Sequence, residues 1–406
     1  MRCKSVVTAD KGTGAFLRFF AILVTADTFA ARSLATSVAA ILGLCIDLGA
    51  AHEPRRQRLL DRYGAFSVDC REVFAKRGLG MMKKIGSYPE LADPQLQPRY
   101  SGIPTFFRLP HSVRLDEVDI GLVGVPFDGG VTNRPGARHG PRDIRNQSSL
   151  IRKINQATGV APFDLVRVAD LGDAWIERPF ELQGALAEIT AFFATVHAAG
   201  VTPLSVGGDH SISLPILRAI ARDRPLGMVH VDAHCDTGDD YLGSRFHHGA
   251  SFRRAVEEGL VDPKRVVQIG IRGSLNAADM WQFSYESGMR VVSIEEFHDK
   301  GWRWAAVEAR KVIGGGSTYL SFDVDSLDPV YAPGTGTPEP GGLTTLEAQR
   351  LIRDLGGLDF VGADLVEVSP PFDTGGITSM TAATVLFELL CVLAQARAQR
   401  KPMSRG

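Results

Sequence analysis

Three short stretches of this 406-residue chain gather side chains that bind metal ions. Asp232, His234 and Asp236 follow the apolar run Leu226-Gly227-Met228-Val229, which reads as a buried parallel strand running out into a loop. In an extended chain alternate side chains share a face, so all three can point one way. Carboxylates packed together repel each other and lose hydration unless a cation sits among them. A single D-x-H-x-D could equally be a hydrogen-bonded polar cluster. Two further stretches decide against that: Gly207-Gly208-Asp209-His210 ends the preceding strand, and Ser321-Phe322-Asp323-Val324-Asp325 ends a later one. His210, Asp232, His234, Asp236, Asp323 and Asp325 at three strand ends describe a two-metal site.

Carboxylate-rich ligation with only two imidazoles suits a hard or borderline divalent ion better than structural zinc. Manganese is the first choice, with nickel or zinc behind it. Two such ions, about 3.5 Å apart, lower the pKa of a shared water enough to give hydroxide at neutral pH, which is hydrolase chemistry suited to a poor electrophile.

The elements that must position these residues can be read along the chain. Residues 1–80 differ in character from the rest: Phe16–Val24 is interrupted by Arg18, and Ser33–Ala51 is small and apolar, so neither gives a clean membrane span. This leader reads either as a targeting peptide or as a disordered or non-native extension, with Met81 or Met82 as a credible start. Residues 81–115 read as an extended, Pro/Gly-rich arm, and 116–400 as the catalytic domain. There strands are expected at Ile120–Pro126, Leu165–Leu171, Pro203–Val206, Leu226–Val231, Arg265–Ile271, Arg290–Ile294, Thr318–Phe322 and Phe360–Val368. Helices are expected over Glu181–Ala199, Ser213–Arg222, Trp304–Val312, Thr345–Leu355 and Ser379–Arg397. Alternation without repeats predicts an α/β fold, a single doubly wound, mainly parallel sheet with helices on both faces, binding its ligand outside the carboxyl ends of the strands.

A net charge of -1 gives no field for nucleic acid or an anionic membrane. Five scattered cysteines, Cys3, Cys45, Cys70, Cys235 and Cys391, form neither a disulfide framework nor a zinc knuckle, which fits a reducing, cytoplasmic setting. Cys235 lies opposite the ligands and reads as a small buried filler.

Gly-Gly-Asp-His at 207–210, Asp-Ala-His-Cys-Asp at 232–236 and Ser-Phe-Asp-Val-Asp-Ser-Leu-Asp-Pro at 321–329 together resemble the signatures of the ureohydrolases, a family of arginases, agmatinases and guanidino acid hydrolases. The resemblance spans about residues 97–395. Asn-Arg-Pro-Gly-Ala-Arg at 133–138, Ala-Pro-Gly-Thr-Gly-Thr-Pro-Glu at 332–339 and Val-Glu-Val-Ser-Pro-Pro at 366–371 draw it toward the agmatinase branch. It implies an arginase-like three-layer sandwich and two manganese ions. His210, Asp232, Asp236 and Asp323 would hold one ion, and Asp232, His234, Asp323 and Asp325 the other, with Asp232 and Asp323 bridging. It also implies that Asp236 orients the attacking hydroxide and passes on its proton, that Glu367 binds the guanidinium, and that His248 shuttles protons.

The neighbouring His247 reads as a packing residue, and Asp209 and Asp328 as turn residues beside the ligands. The expected reaction releases urea and a primary amine, putrescine if the substrate is agmatine. The acidic Gly238-Asp239-Asp240 loop mildly favours that cationic tail and reads equally well as an ordinary solvated loop. A guanidino acid, 4-guanidinobutyrate or 3-guanidinopropionate, is the alternative, with Arg134 or Arg138 to meet its carboxylate. A non-catalytic relative would lack a ligand or Glu367, and all are present. Metal-dependent deacetylases share a related sheet but bind one zinc. Resemblance to the family also implies a homo-oligomer, a trimer or hexamer.

Overall fold

The computed structural model describes residues 98–400. The leader 1–80 and the start of the arm, to residue 97, lie outside them. Eight strands form one sheet: β1 (Ile120–Val125), β2 (Val168–Asp173), β3 (Thr202–Gly207), β4 (Leu226–Val231), β5 (Val261–Ile271), β6 (Arg290–Ser293), β7 (Thr318–Asp323) and β8 (Phe360–Val366). Their order is β2-β1-β3-β8-β7-β4-β5-β6, and every neighbouring pair is parallel. The central strands are buried along their whole length, as a sheet covered on both faces requires.

The helices are α1 (Gly140–Ser148), α2 (Pro162–Leu165), α3 (Leu182–Ala198), α4 (Ser213–Ile220), α5 (Ser251–Glu257), α6 (Gln282–Ser287), α7 (Ile294–Ile313), α8 (Thr345–Asp354) and α9 (Ile377–Gln399). The short α5 and α6 give too few turns for a periodic signal, and sequence reading missed them. α7 starts ten residues before the expected Trp304, because Ser293 caps it by accepting from the Glu296 N–H. The non-helical backbone of Gly301, φ 81°, interrupts the pattern in between. α8 opens with a reciprocal capping box between Thr344 and Glu347. α9 is long and apolar enough to cross a membrane, but 78% of its apolar window is buried against the rest of the protein, which makes it a core helix. The described end of the arm packs Phe106 and Phe107 into the core, with their N–H groups donating to Asp170 Oδ2 and Ser148 Oγ.

The order of the strands positions the site. β3, β8, β7 and β4 are adjacent, and their carboxyl ends deliver His210, Glu367, Asp323 with Asp325, and Asp232 with His234 and Asp236. β3 and β4 are consecutive in the chain, yet two strands made far later insert between them. Gly208 makes the close approach possible: a Cβ there would lie 2.3 Å from the Phe127 carbonyl oxygen.

Candidate metal centre

His210 sets the geometry. Its Nε2 lies 2.8 Å from Ser321 Oγ, and that hydroxyl donates to Asp364 Oδ1 at 2.6 Å. A hydroxyl has one proton, so Ser321 can only accept from the imidazole, and the ring proton sits on Nε2. Nδ1 then presents a lone pair to Asp236 Oδ2 at 2.9 Å, Asp232 Oδ2 at 3.1 Å and Asp323 Oδ2 at 3.2 Å. It is buried, with no hydrogen-bond partner. Lone pairs facing lone pairs at this distance repel unless a cation lies between them. In the absence of one, burial opposes a charge on His210, but the facing carboxylates of Asp232, Asp236 and Asp323 win and hold it protonated well above the usual imidazole range. Burial, then Asp325 and Asp232, push the Asp323 carboxyl well above the usual carboxylate range. A metal ion at Nδ1 replaces a proton there and relieves the carboxylates.

The second half forms around His234, whose Nδ1 lies 3.1 Å from Asp325 Oδ2 and 3.4 Å from Asp232 Oδ1. Asp232 thus turns one oxygen to each half, the arrangement of a bridge. Asp323 turns Oδ2 to His210, while its Oδ1 accepts the Asp325 N–H at 2.8 Å. Four buried carboxylates balance two divalent cations in charge. The donor set therefore fits a binuclear centre, with His210, Asp232, Asp236 and Asp323 to hold one ion and Asp232, His234 and Asp325 the other.

The way Asp236 reaches the site corrects the sequence argument. β4 ends at Val231, so alternation along an extended strand does not carry through to 236. Asp236 instead adopts φ 50°, and this left-handed turn swings its carboxylate onto His210. Glu367 does the same at φ 67° after β8. Such backbone is disfavoured for residues with a Cβ and persists only where surrounding contacts impose it. Glu367 N–H donates to the Gly208 carbonyl at 2.8 Å, and Phe252 N–H to the Asp236 carbonyl at 3.0 Å.

Glu367 is 1% exposed. Its Oε1 accepts from the His210 backbone N–H and from His248 Nδ1, each at 2.9 Å, while Oε2 is buried without a partner. His248 Nε2 meets Thr132 Oγ1 at 2.7 Å. Burial depresses the His248 imidazole, but the Glu367 charge and hydrogen bond push it up to about 9. His248 makes no contact with the carboxylate cluster of the kind His210 and His234 make, which separates it from the ligands.

Sequence reading missed four supporting residues: Thr132, Ser321, Asp364 and His230. Gln268 Nε2 donates to the Cys235 carbonyl at 2.6 Å and to His230 Nδ1 at 3.1 Å, so His230 keeps its proton on Nε2 and donates to Asp232 Oδ2 at 2.6 Å. It orients a ligand without being one. The i, i+2 spacing of His230 and Asp232 was a readable signal.

Cys235 packs with Ile271 and Val291, and burial raises its thiol to about 12, an inert filler. Asp209 caps the turn into α4 through Ser211 N–H and accepts Gly130 N–H at 2.7 Å. Asp328 accepts the N–H groups of Val330, Gly341 and Gly342. His247 packs its ring against Tyr241, 5.7 Å between centroids, on the wall of the cleft.

A cleft of about 620 Å³ opens onto His234, Asp236 and His248. Asp239 on its wall is not the free acid expected: Arg254, Arg253 and Arg245 lie 2.7, 3.1 and 3.5 Å from it. The hydrogen bond from Arg254 is the largest cause holding Asp239 below the usual carboxylate range. Arg138 is consumed by an ion pair with buried Asp128, whereas Arg134 lies exposed over the Phe372 ring.

The sequence profile of the arginase family matches residues 118–391. The chain belongs to the arginase family. With that go the arginase fold and hydrolysis of guanidino C–N bonds. A guanidinopropionase of Pseudomonas aeruginosa is 58% identical over 313 residues, 77% of this chain and 98% of that protein. A guanidinobutyrase of the same organism is 51% identical over 73% of this chain and 94% of its own length. The solved proclavaminate amidino hydrolase of Streptomyces clavuligerus superposes with a TM-score of 0.71 at 43% identity, covering 74% of this chain and all of that one.

Proposed function

We propose that this enzyme hydrolyses a guanidino acid of the 3-guanidinopropionate class to urea and the matching ω-amino acid, using two manganese ions. The observation that carries it is the 58% identity to a guanidinopropionase along almost that protein's whole length. The arginine cluster on Asp239 supports it, since it pairs one of the two acids of the loop that had favoured a cationic tail. Among the described residues lining the cleft, Arg253 is the one arginine or lysine. Agmatine stays a second reading, because Asp240, Asp279 and Glu286 also line the cleft. Manganese is supported by the donor set, mostly carboxylate oxygen with two imidazoles.

Bound divalent ions would supply hydroxide at neutral pH. The residues do the rest. Glu367 Oε2 receives guanidinium N–H groups and fixes the plane of the substrate. Asp236, with one oxygen on His210 and the other free, can take up a proton. His248, held protonated by Glu367, can deliver one from Nε2 to the departing amine beside Thr132.

The leader is read as dispensable for this chemistry, since the arginase-family profile matches residues 118–391, well beyond it. A reducing, cytoplasmic setting fits the free, buried thiols of Cys235 and Cys391. Assembly as a trimer or hexamer is part of the same proposal and rests on family membership alone.

Urea release by the manganese-loaded enzyme from 3-guanidinopropionate, 4-guanidinobutyrate, agmatine and arginine tests the substrate. A guanidino acid is expected to give the highest kcat/KM. Agmatine turned over fastest would overturn the tail assignment and leave the reaction class standing.

A further inference from the structure

Asp364 lies outside both the carboxylate cluster and the cleft, yet it is fully buried. Three hydroxyls donate to it: Ser321 Oγ to Oδ1 at 2.6 Å, and Ser213 Oγ and Tyr319 Oη to Oδ2 at 2.6 and 2.7 Å. Both carboxylate oxygens of Asp364 thus act as acceptors. Everything on the Oδ2 side ends there. On the Oδ1 side the line continues through Ser321 to His210 Nε2.

We infer that Asp364 and Ser321 are positioning residues that set the metal-binding state of His210, by fixing its proton on Nε2 and its ring over the carboxylates. The direction of the relay decides the outcome. With Asp364 as acceptor, Ser321 must accept from the ring, and Nδ1 is left free to bind a cation. Reversed, Ser321 would donate to Nε2, the ring proton would move to Nδ1, and a hydrogen bond to Asp232 or Asp236 would compete with metal. The inference rests on the metal-binding reading of the site and extends it behind the ligands. An outer carboxylate in this position raises ligand basicity as well as orienting the ring.

Asp364→Asn tests the direction. Ser213 and Tyr319 both donate toward Oδ2, so the amide oxygen will settle there and turn the NH2 group to Ser321. That reverses the relay. Ser321→Ala merely cuts it, Ser321→Thr keeps a hydroxyl, and Tyr319→Phe removes a bond to the oxygen that does not lead to His210.

The readout is manganese affinity and stoichiometry by equilibrium dialysis with elemental analysis, alongside the melting temperature of the metal-free protein. Ser321→Ala should weaken manganese binding by about 10–100-fold, and Asp364→Asn by more. Ser321→Thr should restore most of it, and Tyr319→Phe should lower the melting temperature without weakening the metal. Equal metal loss in Tyr319→Phe and Ser321→Ala would show a structural role only, and unchanged binding in Ser321→Ala would overturn the relay. A wild-type protein that takes up no manganese would overturn the site reading itself. If Asp364→Asn does not fold, the Ser321 variants still decide.

Discussion

Replacing Glu367 by glutamine separates two tasks that the structure places on one side chain. Oε1 faces two donors, the His210 N–H and His248 Nδ1, so the amide oxygen will take that position. The NH2 group must then occupy the place of Oε2, the buried atom left for the guanidinium. A charge-assisted acceptor becomes a donor facing donors. Loss of one charge-assisted bond is worth roughly 1.5–3 kcal/mol, and kcat/KM should drop by at least the corresponding ~10–150-fold.

The same change removes the main groups that raise His248. Burial, no longer opposed by Glu367, should pull its imidazole from about 9 to the ordinary histidine range or below. Activity that needs protonated His248 should therefore fall off at a pH lower by about two units in the variant. Stability should follow. A folded pKa raised to about 9 adds stability that is complete below the unfolded histidine value and disappears as pH rises through 9. The melting-temperature gap between wild type and variant should be wide near pH 6 and narrow near pH 10. Urea release across this range, with metal content measured in parallel, is the assay. A variant within about threefold of wild type in kcat/KM would refute the guanidinium role. An unmoved alkaline limb would refute the coupling to His248.

Asp232→Ala should cost both metals, because Asp232 alone turns one oxygen to each histidine; metal analysis that finds two tightly bound ions would contradict the bridge. Asp323→Ala should strip the His210 half first, since its Oδ2 faces His210 Nδ1. His248→Ala should keep its metal and lose about two to four orders of magnitude in turnover, with His247→Ala losing much less. Equal losses in the two histidine variants, or metal loss in His248→Ala, would mean that the loop builds the site instead of moving protons.

The ligand types were legible because metal ligation demands particular atoms at strand ends, and short motifs such as Gly207–His210 and Asp232–Asp236 carry both the strand and the ligand. The parallel α/β class followed from alternation, since buried strands such as Leu226–Val231 are apolar along their whole length. Boundaries failed where a cap or a glycine overrode periodicity, as at Ser293 and Gly301. Sequence could not supply the left-handed turns at Asp236 and Glu367, because contacts distant in the chain impose them. It likewise could not show that Asp239 is paired with Arg245, Arg253 and Arg254, which come from beyond the loop's own acidic run. Above all, the order β3-β8-β7-β4 is a tertiary decision. It puts Asp364 behind His210 across 154 residues of chain, and that adjacency fixes which nitrogen of the imidazole is free to hold a metal.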